Sequence, residues 1–167
     1  MTDHPDLIGV SEDVRLRRFD PGSADEGLLQ SLLPIYRDAE TVRLLDGPQA
    51  EPYDLARLVA MYTAMSERGE LYLVEALSST GGWLPIGDAG LQQQALPMVL
   101  APDYRGRGIG RAILQALIER ARRLGWRQVR VSDIYHDNEA AKRLYTSVGF
   151  VIAGPTELGH SYVLHLT

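Results

Sequence analysis

The segment Arg105-Gly106-Arg107-Gly108-Ile109-Gly110 carries three glycines and two arginines within six residues. Glycines let the backbone curl so that successive N–H groups point at one spot, and such a nest of donors binds anions. The segment stands between a strand pattern and a long amphipathic helix pattern, so the positive end of the helix dipole adds to the same spot. The sequence therefore predicts an anion site suited to a pyrophosphate, with Arg111 as a further nearby charge.

Two familiar phosphate-binding loops do not fit this segment. A nucleoside-triphosphate loop needs Gly-Lys followed by Ser or Thr, whereas Gly110 is followed by Arg111 and Ala112. A dinucleotide-binding loop that starts at Gly106 would need its third glycine at position 111, which is an arginine. Taken alone, the turn has a second interpretation, a tight strand-to-helix connection that binds no ligand.

A second pattern follows about 30 residues downstream, Asn-x-x-Ala-x-x-Leu-Tyr-x-x-x-Gly-Phe, from Asn138 to Phe150. Together with Arg105, Gly108 and Gly110, it resembles the GCN5-related N-acetyltransferase (GNAT) superfamily. The cofactor loop of that superfamily reads Arg or Gln, two residues, Gly, one residue, then Gly or Ala. The resemblance is strongest over residues 87–167, and the first half agrees in its order of strands and helices.

The resemblance implies an α/β fold with a mixed, mostly antiparallel central sheet of about six or seven strands, flanked by helices and splayed at the cofactor site. It implies transfer of an acetyl group from acetyl-coenzyme A (acetyl-CoA) to a primary amine that attacks the thioester directly. We expect the acceptor to be a small molecule. The alternatives are a protein N-terminal acetyltransferase and a non-catalytic acyl-CoA sensor or interaction module.

The resemblance also implies where the cofactor binds. The backbone of Met98, Val99 and Leu100 is expected to pair with the pantetheine arm like an added strand. The loop from Arg105 to Gly110, with Arg111, is expected to hold the pyrophosphate. The predicted cofactor-binding set is completed by Asn138, Ala141 and Tyr145.

Acetyl transfer needs a proton or hydrogen bond for the departing thiolate and a donor for the developing oxyanion. The resemblance assigns the first role to Tyr145, which would otherwise be interpreted as a core tyrosine on an amphipathic helix. A backbone N–H of Val99 or a nearby residue is expected to fill the second. Pro97 has no N–H to donate and is expected to mark the place where the sheet opens.

The base that deprotonates the amine has two candidates. Many family members carry Glu on the strand before the cofactor loop, where this chain has Gln94 and Ala95. Asp133 lies twelve residues before Tyr145, the spacing of the acidic base in the branch that acetylates ribosomal-protein N-termini. Burial would raise its pKa and let it act through a water, but a solvated carboxylate at a strand end is an equal alternative. Asp88 is the second candidate, as base or as anchor for the substrate ammonium.

Composition limits the other classes of function. The 167 residues carry 17 basic and 22 acidic side chains, which gives a formal net charge of −5. Lys142 is the one lysine in the sequence. This balance argues against a broad nucleic-acid-binding surface. No apolar run approaches the roughly 20 residues that cross a bilayer, and the first residues lack a secretory pattern. We expect a cytoplasmic protein, a monomer or homodimer, that binds neither nucleic acid nor membrane.

The chain has no cysteines, which excludes disulfides and thiolate metal ligands. No His, Asp and Glu cluster has convincing metal-ligand spacing, so we expect no metal. The length fits one domain over residues 1–167, with residues 1–13 as a loose N-terminal extension. Ser23 and Glu26 have capping-box spacing and predict a helix that starts at Ser23. Periodicity predicts further helices over 54–68, 108–124 and 138–148, a hairpin over 70–92, and strands over 14–19, 95–100, 129–135, 150–153 and 162–166.

Overall fold

The computed structural model describes residues 5–166, which contain eight strands in two antiparallel sheets. The larger sheet has the order β1-β2-β3-β4-β5 and the smaller one the order β6-β8-β7. The predicted mixed α/β fold with a mostly antiparallel sheet is confirmed. The strands are β1 (Leu7–Gly9), β2 (Val14–Arg18), β3 (Glu70–Leu77), β4 (Trp83–Leu91), β5 (Met98–Leu100), β6 (Gln128–Tyr135), β7 (Val151–Pro155) and β8 (Gly159–His165).

Five α-helices and two short 3-10 segments accompany the strands within these residues. Asp25 caps the first helix by accepting from the Gly27 N–H at 2.6 Å. The predicted start at Ser23 is wrong, because the Ser23 hydroxyl bonds to Asp20 instead. The helices are α1 (Glu26–Leu32), α2 (Ala39–Asp46), α3 (Leu55–Arg68), α4 (Ile109–Arg123) and α5 (Glu139–Ser147), and the 3-10 segments are Leu33–Arg37 and Pro102–Tyr104.

The helices form one layer on each face of the larger sheet. Alternate residues of β3 point to opposite faces, so Tyr72 packs in the cluster that contains the buried residues of α4 and α5. Leu73 packs in the cluster formed by α1, α2 and α3. Both faces of β3 are therefore buried, which explains its nearly unbroken apolar sequence.

The two sheets separate between β5 and β6. One hydrogen bond of 3.3 Å, from the Arg130 N–H to the Gln93 carbonyl, joins the turn before β5 to the start of β6. Beyond that bond no ladder joins the two strands within residues 5–166. The chain leaves β5 through the 3-10 segment Pro102–Tyr104 and enters α4, so the N-terminus of α4 lies beside the split.

The N-terminal segment is more ordered than expected. Residues 7–9 form β1, whose Ile8 lies opposite Leu16 of β2. The expectation of a loose extension is wrong for this strand, because its backbone groups pair with the edge of β2; residues 1–4 lie outside the described part. A single domain over 1–167 stays a prediction. None of the helices within residues 5–166 is long and apolar enough to span a bilayer.

Candidate active site

A cleft of about 930 Å³ occupies the split between β5 and β6. β5 forms one wall and residues 131–135 of β6 form the other. Helix α2 closes one end with Thr41 and Leu44, while the α4 N-terminus and α5 contribute Gly108, Arg111 and Leu144. The sequence motifs before α4 and within α5 thus meet in one cavity.

The loop before α4 presents backbone N–H groups. Gly106 and Gly108 have φ of 73° and 80°, in the left-handed region that glycine adopts without strain. Gly108 is the N-cap of α4, so the N–H groups of the first helical turn have no intrahelical acceptor. The N–H groups of residues 106–108 also donate no hydrogen bond to any described residue. The geometry is that of the predicted anion nest.

Arg105 does not point its guanidinium into this nest. Its Nε donates to the Leu100 carbonyl at 3.0 Å and an Nη donates to the Thr41 hydroxyl at 2.6 Å. Arg105 therefore ties the end of β5 to α2, and both of these hydrogen bonds go to protein atoms. Arg111 lines the cleft, and Arg107 stacks on the Tyr104 ring at 5.4 Å.

The backbone groups on the outer edge of β5 belong to Met98 and Leu100, and of these the Leu100 carbonyl accepts from Arg105. The Gly90 N–H bonds to the Pro97 carbonyl and the Ala101 N–H to the Ile86 carbonyl. Val99, midway between these bonds and opposite Asp88, points its backbone groups toward β4 because an antiparallel ladder alternates every residue. The expected oxyanion donor at Val99 is thus turned away from the cleft. The N–H groups of its two neighbours face the cleft instead.

Tyr145 is 8% exposed and lies in the cleft wall. Its hydroxyl donates to the Leu96 carbonyl at 2.7 Å, and its ring packs edge-on against Phe150 at 5.4 Å. Burial raises the pKa of Tyr145 above its usual value, so the phenol stays protonated at neutral pH. It is placed to donate a hydrogen bond and is not a base.

Other motif residues shape the cleft through packing and capping. Asn138 caps α5, its Oδ1 accepting from the Ala141 N–H at 3.1 Å, and both residues line the cleft. Gly110 brings α4 close to its neighbours: a Cβ at this position would lie 3.1 Å from Met98 Cε and 3.4 Å from Leu144 Cδ2. A glycine at position 110 of the loop motif therefore has a packing cause.

Asp133 lies in the cleft wall but is exposed. Its Oδ1 accepts a hydrogen bond of 2.7 Å from the Thr156 hydroxyl, in the turn between β7 and β8. Of the two alternatives for Asp133, the structure has the solvated carboxylate, which is exposed where the register of β6 against β8 shifts between Val131 and Ile134. Asp133 is accessible to a ligand in the cleft.

Asp88 has the opposite environment. It is 1% exposed, and its Oδ2 accepts hydrogen bonds from the hydroxyls of Tyr36 at 2.6 Å and Tyr62 at 2.8 Å. Burial raises the pKa of Asp88 to about 6, although the two hydroxyl donors oppose that rise. Asp88 lies opposite Val99, which lines the cleft, but is not itself in the cleft wall.

Three side chains that contact these site residues were not identified from the sequence. Tyr36 and Tyr62 fit a 3-10 segment and an apolar helix stripe, and nothing in their spacing indicates a shared carboxylate 52 and 26 residues away. Thr41 likewise gives no sequence signal for its bond to Arg105. No group of three or more His, Asp or Glu side chains in the described part of the chain is arranged to hold a metal ion.

The acetyltransferase (GNAT) family model matches residues 31–150, which is more than half of the chain. The chain belongs to the GNAT acetyltransferase family. It is similar to the L-methionine sulfoximine/L-methionine sulfone acetyltransferase of Pseudomonas paraeruginosa, with 35% identity over 146 residues, 81% of this chain and 80% of that protein. This GNAT protein is therefore an acetyl-CoA-dependent N-acetyltransferase.

Two further similarities concern part of the chain and its fold. The [ribosomal protein bS18]-alanine N-acetyltransferase of Escherichia coli is 36% identical over 95 residues, which are 53% of this chain and 61% of that enzyme. Among solved structures, a GNAT superfamily phosphinothricin acetyltransferase from Sinorhizobium meliloti in complex with AcCoA superposes with a TM-score of 0.64 and 22% identity. The superposition covers 92% of this chain and 89% of that one and supports the fold.

Proposed function

We propose that this enzyme acetylates the α-amino group of a small amino-acid-like molecule, with acetyl-CoA bound in the cleft between β5 and β6. One observation carries the proposal: a free strand edge, a helix N-terminus and the Tyr145 phenol all face the cavity whose opposite wall presents Asp133. The strand edge, the helix N-terminus and the phenol are suited to bind an acyl thioester whose carrier bears phosphate groups. The carboxylate suits an ammonium ion.

The coenzyme is proposed to follow the wall formed by β5 and α4. Its pyrophosphate takes the N–H groups of the loop from Gly106 to Gly110, with Arg111 as the adjacent cation. Its pantetheine amides pair along β5 with the outward backbone groups of Met98 and the outward N–H of Leu100, because the Leu100 carbonyl already accepts from Arg105. The outward N–H group that does not pair with a pantetheine amide stabilises the oxyanion that forms on the thioester carbonyl.

The reaction requires the acceptor ammonium to lose a proton before it attacks. The neutral amine nitrogen then bonds to the acetyl carbonyl carbon, the C–S bond breaks, and the nitrogen loses its second proton while the thiolate is protonated. A thiol has a pKa of about 8.5, far below that of a buried phenol, so full proton transfer from Tyr145 to the sulfur is unfavourable. We therefore assign Tyr145 a hydrogen bond to the developing thiolate, with solvent supplying the proton.

Asp133 is proposed to bind the acceptor in its ammonium form. It is exposed on the cleft wall, and the Thr156 hydroxyl holds one of its oxygens. An ion pair at the mouth of a cleft attracts a cation without a large desolvation cost. This assignment replaces the alternative in which Asp133 is a base that acts through a water. No step of the proposed reaction uses a metal ion.

The acceptor class follows from the shared chemistry of the relatives. One is named for acetylating methionine sulfoximine and sulfone, the other for acetylating an alanine of a ribosomal protein. Methionine sulfoximine, methionine sulfone and an N-terminal alanine all carry an α-amino group. The relative that covers more of this chain acts on the free small molecule, and we therefore favour a small acceptor over a protein N-terminus.

The test measures initial rates of thiol release with free amino acids, methionine sulfone, polyamines and short peptides, each at several concentrations. A free amino acid is expected to give the highest kcat/KM, and Asp133→Asn is expected to raise KM about tenfold with kcat changed less. Glu157→Gln, on the same turn as Thr156 and outside the cleft wall, is the matched charge control. Higher kcat/KM with peptides would move the assignment to protein N-termini.

A further inference from the structure

Asp88 is a buried carboxylate without a cationic partner. Its neighbours on the adjacent strands are the apolar Leu73 and Val99. From the helical layer it faces the hydroxyls of Tyr36 and Tyr62, with Tyr53 farther away. No Arg, Lys or His within residues 5–166 pairs with it.

A buried carboxylate of this kind is costly to keep ionised. Neutral hydroxyl donors offset part of the desolvation cost, while an ion pair would offset more. If position 88 served only to fill the apolar core, Asn or Leu there would cost less free energy to bury than an ionised Asp. A buried, unpaired acid beside a ligand cleft is the arrangement found where a proton is accepted or a cation is bound.

The two tyrosines hydrogen-bond to only one of the two oxygens of the Asp88 carboxylate. Both hydroxyls reach the same oxygen, Oδ2, and Oδ1 accepts no hydrogen bond from any residue that the structure describes. Tyr36 lies in the 3-10 segment and Tyr62 in α3, so two separate elements converge on it. Their rings meet edge-to-face, with centroids 6.2 Å apart, which fixes the direction of both hydroxyls.

Asp88 lies one residue from the cleft. It is opposite Val99 on β5 and on the same face of the sheet, and Val99 is one of the residues that line the cleft. Tyr145 packs in the cluster on the other face of the sheet. The acid and the phenol thus approach β5 from opposite faces of the sheet.

Building on the proposed function, we propose that Asp88 receives, through a water beside Val99, the proton that the acceptor ammonium loses, and that Tyr36 and Tyr62 are positioning residues that hold its carboxylate ionised. The N–H bond of the ammonium breaks, the water relays the proton, and an O–H bond forms on Oδ1. The amine becomes nucleophilic, and Asp88 returns the proton to solvent after the product leaves.

This role accounts for the environment of the carboxylate. An acid is an effective general base when its pKa approaches the working pH, and burial moves the pKa of Asp88 toward neutrality. The two hydroxyl donors lower the pKa again, so that Asp88 is ionised and ready at neutral pH. Removal of either donor should raise the pKa of Asp88 and leave less of the enzyme in the active form.

The experiment compares pH profiles of kcat/KM for wild type, Tyr36→Phe and Tyr62→Phe. The acidic limb of the wild type is expected near pH 6, and in each variant we expect it at higher pH, with activity at pH 6 reduced several-fold and activity at pH 9 close to that of wild type. Tyr53→Phe is the matched control, because its hydroxyl bonds to Asp46 instead, and its limb should coincide with that of wild type. Asp88→Asn should abolish the limb and lower kcat at least a hundredfold.

Unshifted limbs in both tyrosine variants, or a wild-type limb retained in Asp88→Asn, would overturn the proposal. A ¹³C NMR titration of the Asp88 carboxyl provides a readout that needs no acceptor. A carboxyl pKa that rises in Tyr36→Phe and Tyr62→Phe while the kinetic limb stays in place would also contradict it, with the proposed acetyl transfer intact. An enzyme that acetylates no amine would instead refute the proposed function, and the two failures remain distinguishable.

Discussion

The Tyr145 hydroxyl donates its hydrogen bond to the Leu96 carbonyl, two residues before the strand that lines the cleft. This bond orients the phenol toward the turn where the sheet begins to open. A thiolate that forms beside Leu96 would compete for the same hydrogen. The position of the phenol, more than its acidity, therefore determines what it contributes to catalysis.

Tyr145→Phe should lower kcat by about 10- to 100-fold, the range for loss of one hydrogen bond to a charged group. The dissociation constant of acetyl-CoA should change less than threefold, because the ring and its contact with Phe150 are kept. Turnover is measured by initial rates and coenzyme binding by calorimetry, so that an effect on catalysis is distinguished from an effect on binding. Turnover equal to that of wild type would remove the phenol from the mechanism.

Gly108→Ala should weaken coenzyme binding because this residue holds the N-cap of α4 at a φ of 80°. A left-handed conformation costs an alanine about 1–2 kcal/mol, and relief of that strain would turn the N–H groups away from the pyrophosphate. Gly125→Ala, at a φ of 78° after the same helix, introduces a similar strain away from the cleft. Both variants should lose thermal stability, but only the first should lose affinity for coenzyme A. Equal affinities would contradict the anion-nest assignment.

Arg105→Gln should act through the Thr41 bond that joins the loop to α2. Thr41→Val removes the same bond from the other side, and a double-mutant cycle should give a coupling free energy of about 1 kcal/mol in unfolding. If the Arg105 charge instead bound the pyrophosphate, Arg105→Gln alone would weaken coenzyme binding and reduce its salt dependence. We expect both single variants to alter coenzyme binding to a similar and small extent.

Asp88 should make stability depend on pH. Its folded pKa of about 6 lies above the ordinary value of 3.8, so the folded state holds the proton over a range where the unfolded state has lost it. The contribution to stability is present below pH 3.8 and is lost as the pH rises to about 6. Relative to Asp88→Asn, the unfolding free energy of wild type should fall by roughly 3 kcal/mol as the pH rises across this window. A difference that stays constant from pH 4 to 7 in urea denaturation would contradict the assignment.

The contiguous parts of the site were predictable from the sequence. The loop from Arg105 to Gly110 and the pattern around Tyr145 each specify a local geometry, a glycine nest at a helix start and an aromatic on a helix face. Their meeting in one cleft follows from the order strand, helix, strand, helix. The family resemblance supplied the identity of the anion, which physical chemistry alone left open.

The non-local parts were not predictable. The environments of Asp88 and Asp133 did not follow from the sequence: Asp88 is buried beneath Tyr36 and Tyr62, and Asp133 is exposed where the register of β6 against β8 shifts. Arg105 has the sequence signature of a phosphate ligand, yet its hydrogen bonds go to protein atoms. Such contacts join segments far apart in the chain, and single-segment patterns contain no information about them.

The most direct test of the whole account is the stoichiometry of acetyl transfer. Purified protein is incubated with acetyl-CoA and a free amino acid, and released thiol and acetylated amine are measured together by absorbance and mass spectrometry. We predict one acetylated α-amine for each thiol released, at a rate that exceeds the rate without protein by orders of magnitude. Tight binding of acetyl-CoA without thiol release for any amine would contradict the account and identify the protein as a non-catalytic acyl-CoA-binding module.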